Sequence, residues 1–168
     1  MTASFVVEPL SARHDRAAFA CGVEPLDRYL REQAGQDVKR RVANCFVAGS
    51  GGSHVVSGYY TLAAASIPVT EIPSELSRRL PRYPLLPAAL IGRLAVDLRY
   101  ARRSLGSALL YDAIARAMRA DTAVYAIVVD AKDETAATFY ARFGFRRFAS
   151  RPLGLFLPVA TAAKLSGS

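Results

Sequence analysis

Apolar and polar positions follow one another in short blocks, and the first blocks predict a strand, a turn and a helix. Residues 3–8 alternate with the two-residue period of a strand. Residues 15–19 are compatible with one helical turn that ends near Gly22. Pro25 then occupies a favourable first-turn position for a helix that runs to about residue 41. One face of that helix is formed by Leu26, Tyr29, Leu30, Gln33, Ala34, Asp37 and Val38.

The middle of the chain predicts a hairpin followed by an irregular excursion. Residues 44–48 and 54–67 form two apolar runs, and Gly51-Gly52 between them supplies the turn. The segment 68–87 is rich in proline, so it predicts loop structure with at most a short helix near residues 74–80.

The second half alternates strands with helices, which predicts at least one parallel strand pair. Residues 88–96 and 123–129 are apolar runs with the composition of buried strands. Between them, apolar residues from Leu105 to Ala117 repeat at helical spacing. A strand–helix–strand unit of this kind favours parallel pairing, whereas the hairpin favours antiparallel neighbours. The fold class is therefore α/β with a mixed sheet and helices on both faces.

The end of the chain predicts one more helix and two short strands. Asp133 is placed to cap a helix that runs to about residue 142, with Gly144 as its left-handed terminator. The strands lie near residues 145–149 and 153–157, and residues 163–168 are expected to be a frayed tail. No linker interrupts residues 1–168, so we expect one domain.

Charge and composition indicate a globular protein that attracts polyanions. The net charge is +8, from 22 Lys and Arg against 14 Asp and Glu, with an isoelectric point near 9.9. A basic surface of this kind attracts the phosphates of a cofactor or of RNA. No apolar stretch is long enough to cross a membrane, and no export signal precedes the fold, so a cytoplasmic location is expected. Two distant cysteines and two histidines give a poor inventory for a metal site, and none is predicted.

A basic turn between a buried strand and a helix is the first candidate for chemistry. The strand ends at Asp97, and a helix begins near Leu105. The free N–H groups at such a helix start, with the positive end of the helix dipole, suit a pyrophosphate. Arg102 and Arg103 add positive charge. An ordinary strand–helix connection with solvated arginines is the alternative interpretation.

A tyrosine near the end of the next helix is the second candidate. Ala136, Tyr140 and Phe143 share one helical face. A tyrosine at such a position belongs to the core more often than to a catalytic site, so its role depends on the context that the other motifs supply.

These two stretches together resemble the GNAT acetyltransferase superfamily. The shared features are the strand RLAVD at 93–97, the basic turn, LG-x-x-LL at 105–110, and A-x-x-FY-x-x-x-GF at 136–145. The resemblance implies acetyl-CoA as cosubstrate. It implies that the strand pairs its backbone with the pantetheine amides, the turn binds the pyrophosphate, and Tyr140 protonates the departing thiolate. The cofactor-binding residues it implies are Leu94, Ala95, Val96, Arg102, Arg103, Ser104, Leu105, Gly106 and Ser107.

The turn departs from the usual pattern of this family, which is Q/R-x-x-G-x-G/A. Aligned through LG-x-x-LL, the turn spans Ala101 to Gly106, so that Ala101 replaces the leading Arg or Gln and Ser104 replaces the middle glycine. A shift by two residues gives 103–108, which fits the pattern but spoils the helix register. We prefer the first alignment, which leaves Arg102 and Arg103 to compensate for weaker phosphate binding.

The first half of the chain resembles one branch of this superfamily, the GNAT toxins of bacterial toxin–antitoxin modules. The similar features are F-x-CG-x-x-x-LD-x-YL at 19–30, Gln33-Ala34, Arg40-Arg41 and GYYTL at 58–62. The resemblance implies acetylation of the α-amino group of aminoacyl-tRNA, which blocks translation. It further implies neutralisation by a small ribbon–helix–helix antitoxin and assembly as a homodimer.

The residue types suit an α-amine substrate. A free α-amine titrates near pH 8 and a lysine near about 10.4, so an α-amine needs little help from a base. Neither His14 nor His54 is placed as an evident base. The candidates for contact with tRNA are Arg93, Lys39, Arg40, Arg41, Arg78, Arg79 and Arg82. Two alternatives stay open: acetylation of a protein N-terminus, a lysine or a small amine, and a non-catalytic module that binds CoA or nucleic acid.

Overall fold

The computed structural model describes residues 4–166, and seven of its strands form one sheet in the order β1-β2-β3-β4-β5-β7-β6. The strands are β1 (Phe5–Pro9), β2 (Asn44–Ser50), β3 (Gly58–Pro68), β4 (Leu85–Val96), β5 (Ala126–Asp130), β6 (Arg146–Arg147) and β7 (Gly154–Pro158). The helices are α1 (Glu24–Arg28), α2 (Ala34–Lys39), α3 (Ser74–Ser77), α4 (Leu105–Arg119), α5 (Glu134–Ala141) and α6 (Val159–Ser166).

The sheet is mixed, as the sequence predicts. Strands β1, β2 and β3 pair antiparallel in succession, and β5 pairs antiparallel with β7, which pairs with β6. Strand β4 pairs with β5 in parallel, with Ala88 opposite Ala126 and Ile91 opposite Val129. The crossover between these two strands contains α4, which is the connection that parallel neighbours require.

The chain divides into two compact units, each with its own apolar cluster. The first unit extends to Ala63 and includes Gly92–Ala113, and the second comprises Ala64–Ile91 and the chain from Ile114 onward. The first cluster is built around Phe19, Leu30 and Tyr59. The second is built around Ile67, Ile72, Leu86, Val128 and Phe156.

The predicted helix from Pro25 contains a change of helix type. It runs as α1, then a five-residue π turn at Tyr29–Gln33, then α2. The N–H of Ala34 bonds the carbonyl of Tyr29, which is the i→i+5 pattern of a π turn. Of the predicted inward face, Tyr29, Leu30 and Ala34 are buried, whereas Gln33 is exposed.

Two local predictions differ from the structure, at residues 15–19 and at the end of the chain. Residues 16–19 form a single turn, closed by the Phe19 N–H donating to the Arg16 carbonyl at 3.2 Å, but no helix. Asp15 pairs elsewhere: its N–H donates to the His54 carbonyl at 2.7 Å, and its carbonyl accepts from the Val56 N–H. Strand β3 consequently begins at Gly58 rather than at residue 54. Residues 163–166, expected to be frayed, belong to α6, whose Ala162 is buried. Residues 167–168 lie outside the described part of the chain.

Strand β4 is also less buried than predicted. Its residues alternate between exposed and buried positions up to Ala88, and Gly92 is exposed. The prediction of burial on both faces of residues 88–96 therefore holds for 88–91, where the adjacent Ala88 and Ala89 are both buried, and fails from Gly92 onward. None of the helices within residues 4–166 is both long enough and apolar enough to span a bilayer.

Candidate active site

The basic turn of the first unit begins at a buried carboxylate, Asp97, which is 1% exposed. Its oxygens accept from the backbone N–H and the guanidinium of Arg99 and, at 3.1 Å, from the N–H of Ala20. Burial alone would raise the pKa of this carboxyl, but the hydrogen bonds from Arg99 and Ala20 hold it below its ordinary value. Asp97 thus fixes the end of β4 and the entry to the turn.

The turn itself uses left-handed backbone at two non-glycine residues. Arg102 has φ of 64° and Ser104 has φ of 60°. Such conformations cost about 1–2 kcal/mol per L-residue, and glycine adopts them freely. The need for positive φ at Ser104 gives the physical reason for glycine at that place in the family pattern. It supports the alignment through Ala101–Gly106, as does the start of α4 at Leu105.

Six consecutive backbone N–H groups, from Arg102 to Ser107, donate no hydrogen bond to any residue in the described range 4–166. The first intrahelical bond at this end is made by Ala108, whose N–H donates to the Ser104 carbonyl at 3.0 Å. The side chains of Arg102 and Arg103 are exposed, and the guanidinium of Arg103 lies 5.5 Å from the Tyr100 ring centroid. Free N–H groups at a helix start beside two arginines have the chemistry that suits a phosphate-bearing anion.

The end of β4 presents unpaired backbone beside this turn. Its registered pairing with β5 stops at Ile91, whereas the strand continues to Val96. Leu94, Ala95 and Val96 therefore lie on a stretch of strand with no β5 partner, and Ala95 is buried. An extended amide-containing ligand can add to such an edge by β-augmentation.

Tyr140 lies in the second unit, near the end of α5. The Asp133 side chain caps this helix by accepting from the Ala136 N–H at 2.8 Å, and Gly144 ends it with φ of 95°, both as predicted. The Tyr140 ring packs edge-on against Phe139 and Phe145, with centroids 5.2 and 5.7 Å away.

The Tyr140 hydroxyl remains protonated over the whole physiological range. Its residue is only 8% exposed, and burial raises the pKa of the phenol to about 12. Within residues 4–166 the hydroxyl makes no hydrogen bond. It is a protonated donor whose hydrogen-bonding capacity the fold does not use.

His14, Cys21 and Cys45 are not arranged as a base or a nucleophile. The Nδ1 atom of His14 accepts from the Ser11 N–H at 2.9 Å, so Nε2 carries the proton and donates to Glu8 at 2.8 Å. Burial raises the pKa of Cys21 to about 11 and that of Cys45 to about 12, so both thiols stay protonated. No cluster of possible metal ligands occurs in the described residues.

The basic side chains predicted to contact tRNA are divided between the two units. In the first, Lys39, Arg40 and Arg41 are exposed at the end of α2. In the second, Arg78, Arg79 and Arg82 are exposed on the excursion that contains α3. In the described part of the chain, no ion pair joins any of these six to a carboxylate.

Arg93 has surroundings that the sequence did not reveal. Its guanidinium carbon lies 3.5 Å from the centroid of the Tyr29 ring. The Tyr29 hydroxyl donates to Asp37 at 2.7 Å, and burial together with this hydrogen bond raises the pKa of Tyr29. The only feature of the sequence that pointed to this group of Arg93, Tyr29 and Asp37 was the presence of an arginine in an apolar strand. Asp97 was likewise missed, although a carboxylate at a strand end before a basic turn could have indicated it.

Comparison with known proteins places the chain among acetyltransferases. A model of the acetyltransferase (GNAT) domain matches residues 87–153. A probable toxin TacT from Sinorhizobium fredii is 33% identical over 96% of this chain and 95% of its own length. A tRNA-acetylating toxin from Mycobacterium tuberculosis is 36% identical over 94% of each chain.

Solved structures of related toxins share the fold. AtaT complexed with acetyl-methionyl-tRNAfMet superimposes with a TM-score of 0.90 at 25% identity, over 96% of this chain and 99% of that one. AtaTR bound with acetyl-CoA gives 0.82 at 25% identity, over 96% and 97%. AtaT bound to the C-terminus of the antitoxin AtaR gives 0.82 at 22% identity, over 98% and 99%, which shows the fold alone.

Proposed function

Because the chain belongs to the GNAT acetyltransferases that act as tRNA-acetylating toxins, we propose that it transfers acetyl from acetyl-CoA to the α-amino group of aminoacyl-tRNA and so blocks translation. The observation that carries this function is the run of six N–H groups from Arg102 to Ser107 without acceptors in the described chain. Four of these donors, Ser104 to Ser107, are the free N–H groups of a helix start, and Arg102 and Arg103 extend the run on the preceding turn. The pyrophosphate of acetyl-CoA is an acceptor that suits such a run.

The turn binds the pyrophosphate, and β4 holds the pantetheine. Ser104, Leu105, Gly106 and Ser107 supply backbone donors, and Arg102 and Arg103 neutralise charge. Leu94, Ala95 and Val96 offer backbone for the pantetheine amides. Acetyl-CoA brings the activated thioester, and the protein's contribution is to bind it in an extended conformation.

Tyr140 assists the departure of sulfur. The amine nitrogen attacks the thioester carbon, the C–S bond breaks with its electron pair on sulfur, and nitrogen loses one proton while sulfur gains one. A thiol has a reference pKa of about 8.5, so lasting transfer from a phenol of pKa about 12 is unfavourable by roughly 5 kcal/mol. Tyr140 therefore donates a hydrogen bond to the forming thiolate, and passes its proton on only as it receives the proton from nitrogen.

An α-amine fits a site without a base. An α-amine of pKa near 8 is about half neutral at pH 8, whereas about 99% or more of a lysine of pKa about 10.4 is charged at that pH. Both ring nitrogens of His14 are already engaged in hydrogen bonds, which removes it as a base. This observation favours aminoacyl-tRNA over a lysine substrate, although a protein N-terminus shares the chemistry.

The exposed arginines distinguish an RNA substrate from a peptide substrate, because an RNA has backbone phosphates and a peptide has none. Arg78, Arg79 and Arg82, and separately Lys39, Arg40 and Arg41, are free to bind backbone phosphates. Arg93 binds the RNA backbone next to its 3′ end. Binding of charged tRNA should consequently weaken steeply with salt, whereas a small amine or a peptide should bind with little dependence on salt.

The proposed partners follow from the same family. A toxin of this kind requires an antitoxin, and we assign it a ribbon–helix–helix protein, with the toxin itself a cytoplasmic homodimer. Co-expression with the neighbouring reading frame should restore growth and yield a stable complex. Sedimentation of the purified toxin should give twice the 18.1 kDa chain mass. A monomer in sedimentation would overturn the homodimer, and toxicity that co-expression does not relieve would overturn the antitoxin.

The deciding experiment offers labelled acetyl-CoA with four acceptors: charged tRNA, the same tRNA deacylated, a peptide N-terminus, and a peptide lysine. We expect N-acetylated aminoacyl ends from charged tRNA alone. Faster acetylation of either peptide would assign the enzyme to protein substrates. Binding of acetyl-CoA with no transfer to any acceptor would indicate a non-catalytic module.

A further inference from the structure

A half-buried arginine of the first unit presents hydrogen-bond donors that the protein does not use. Arg93 lies on β4 immediately before Leu94, and no hydrogen bond or ion pair joins it to any residue between 4 and 166. A guanidinium has five N–H donors, and leaving them unpaired near an apolar core is costly. The ordinary explanations, a surface ion pair or a structural hydrogen bond, both fail here.

The nearby carboxylate is occupied by other donors. Asp37 accepts from the Tyr29 hydroxyl at 2.7 Å through Oδ2 and from the Gln33 amide at 2.9 Å through Oδ1. The negative charge of Asp37 attracts the Arg93 guanidinium, but the two side chains form no hydrogen bond. The arginine is therefore held in place through charge and stacking, and its donors stay available.

The Tyr29 ring supplies that stacking. The guanidinium carbon of Arg93 lies 3.5 Å from the ring centroid, which is the distance of close face-to-face contact. Contact with one face fixes the plane of the fork and leaves its edges free. A fixed planar fork is the geometry that binds a phosphate through two parallel hydrogen bonds.

The π turn explains how Tyr29 and Asp37 come to lie together. Residues eight apart on a continuous α-helix turn through about 800°, which leaves their side chains roughly 80° apart. The wider turn at Tyr29–Gln33 removes most of that offset, so the hydroxyl and the carboxylate meet. Tyr29 is thereby fixed at both ends, by packing of its ring at 6% exposure and by the hydrogen bond of its hydroxyl.

We propose that Tyr29 and Asp37 are positioning residues that hold Arg93 as a receptor for one phosphodiester of the substrate, next to its aminoacyl end. This inference rests on the proposed function. The ligand chemistry is a phosphate, and acetyl-CoA is the other molecule of the reaction that could bring one. We assign the phosphate to the RNA, and kinetics with each substrate distinguishes the two sources.

The experiment compares charged tRNA with 3′-O-aminoacyl-adenosine, which has the same α-amine and no phosphodiester. Arg93→Ala should raise KM for charged tRNA by about 10–100-fold, the range for hydrogen bonds to a charged group. KM for acetyl-CoA and turnover of aminoacyl-adenosine should stay within about 2-fold. A rise in KM for acetyl-CoA instead, or equal losses with both acceptors, would overturn the assignment to the RNA.

The positioning role is tested by combining substitutions. Tyr29→Leu should raise KM for charged tRNA by about 3–30-fold, the range for a partly desolvated cation–π contact. In an Arg93→Ala background the same change should have no further effect, because there is nothing left to position. An effect of equal size in both backgrounds would mean that Tyr29 is only a core residue.

Two further variants keep the test valid if Tyr29→Leu folds poorly. Arg93→Lys retains the charge but loses the stacked planar fork, so it should behave like Arg93→Ala for KM. Tyr29→Phe retains the ring and loses the bond to Asp37, so it should be affected by less than about 3-fold. Arg151→Ala removes a comparable arginine stacked 4.7 Å from Phe148 and is the matched control, expected to be unchanged.

The outcomes separate this inference from the function on which it rests. A wild-type protein that acetylates no charged tRNA would refute the function. A wild-type protein that does so, with Arg93→Lys indistinguishable from wild type, would refute the receptor role of Arg93 alone.

Discussion

Replacing Tyr140 by phenylalanine removes a single hydroxyl and leaves the ring that packs against Phe139 and Phe145. Within the described residues that hydroxyl has no hydrogen-bond partner, so the folded state loses no bond. We therefore expect the free energy of unfolding to change by less than about 0.5 kcal/mol, in the range of substitutions that disturb no specific interaction. Affinity for acetyl-CoA should also be unchanged.

The chemical step should slow markedly. Loss of a positioned proton donor costs about 10²–10⁴-fold in rate, which corresponds to roughly 2.7–5.4 kcal/mol in the barrier. The appropriate assay is single-turnover acetyl transfer to charged tRNA with enzyme in excess, because it excludes product release. Tyr125→Phe is a matched control, since it removes the hydroxyl of another tyrosine whose pKa burial raises. It should transfer acetyl at the wild-type rate.

The pH profile gives an independent test of the same role. Because the Tyr140 pKa is raised to about 12, the donor stays protonated throughout the accessible range. The wild-type rate should rise with an apparent pKa near 8, that of the α-amine, and should not fall before pH 10. If Tyr140→Phe matches wild type in single-turnover transfer, the tyrosine is a packing residue and the proton route described above is wrong.

Three further predictions concern the turn, the charged surface and the core. Ser104→Gly relieves left-handed backbone, so it should raise the free energy of unfolding by up to about 1 kcal/mol and keep acetyl-CoA affinity; destabilisation in a thermal melt would contradict the strain. Replacing Arg78, Arg79 and Arg82 together by alanine should reduce the slope of log KM for charged tRNA against log salt by about 2–3; an unchanged slope would exclude them from the interface. The Cys45 thiol has its pKa raised by burial from 9.0 to about 12, so the folded state retains its proton longer than the unfolded state. The stabilisation of the fold by the protonated Cys45 is complete below pH 9 and declines above it. Between pH 8 and 10.5, the free energy of unfolding of wild type, measured with denaturant, should fall by about 2 kcal/mol more than that of Cys45→Ala. Equal decreases in the two proteins would refute this.

Some parts of the site could be predicted because their chemistry lies in adjacent residues. The cap at Asp133 and the terminator at Gly144 act within a few residues of the helix they delimit, and both are as predicted. The basic turn follows its strand directly in sequence. The free N–H groups of Ser104–Ser107 follow from the start of a helix, which the apolar period at Leu105 already indicated.

Other features required partners that are distant along the chain. The helical turn expected at residues 15–19 is confined to 16–19, because Asp15 forms a parallel bridge with Val55 through hydrogen bonds to His54 and Val56. The sequence indicated that His14 is not an evident base. It did not show that the ring nitrogens form hydrogen bonds with Ser11 and Glu8. Helix α6 was missed because its packing, with Ala162 buried, outweighs a weak local pattern.

The sequence alone determined the mixed α/β sheet, the order of its elements and the resemblance that led to acetyl transfer, because periodicity and short motifs are local properties. Tertiary structure decided what each candidate side chain does. It gave the Tyr140 phenol its raised pKa through burial, and it gave Ser104 a backbone conformation that glycine would adopt freely. It also stacked Arg93 on Tyr29, 64 positions apart in the numbering (93 − 29 = 64), and such long-range contacts form only when the whole chain folds.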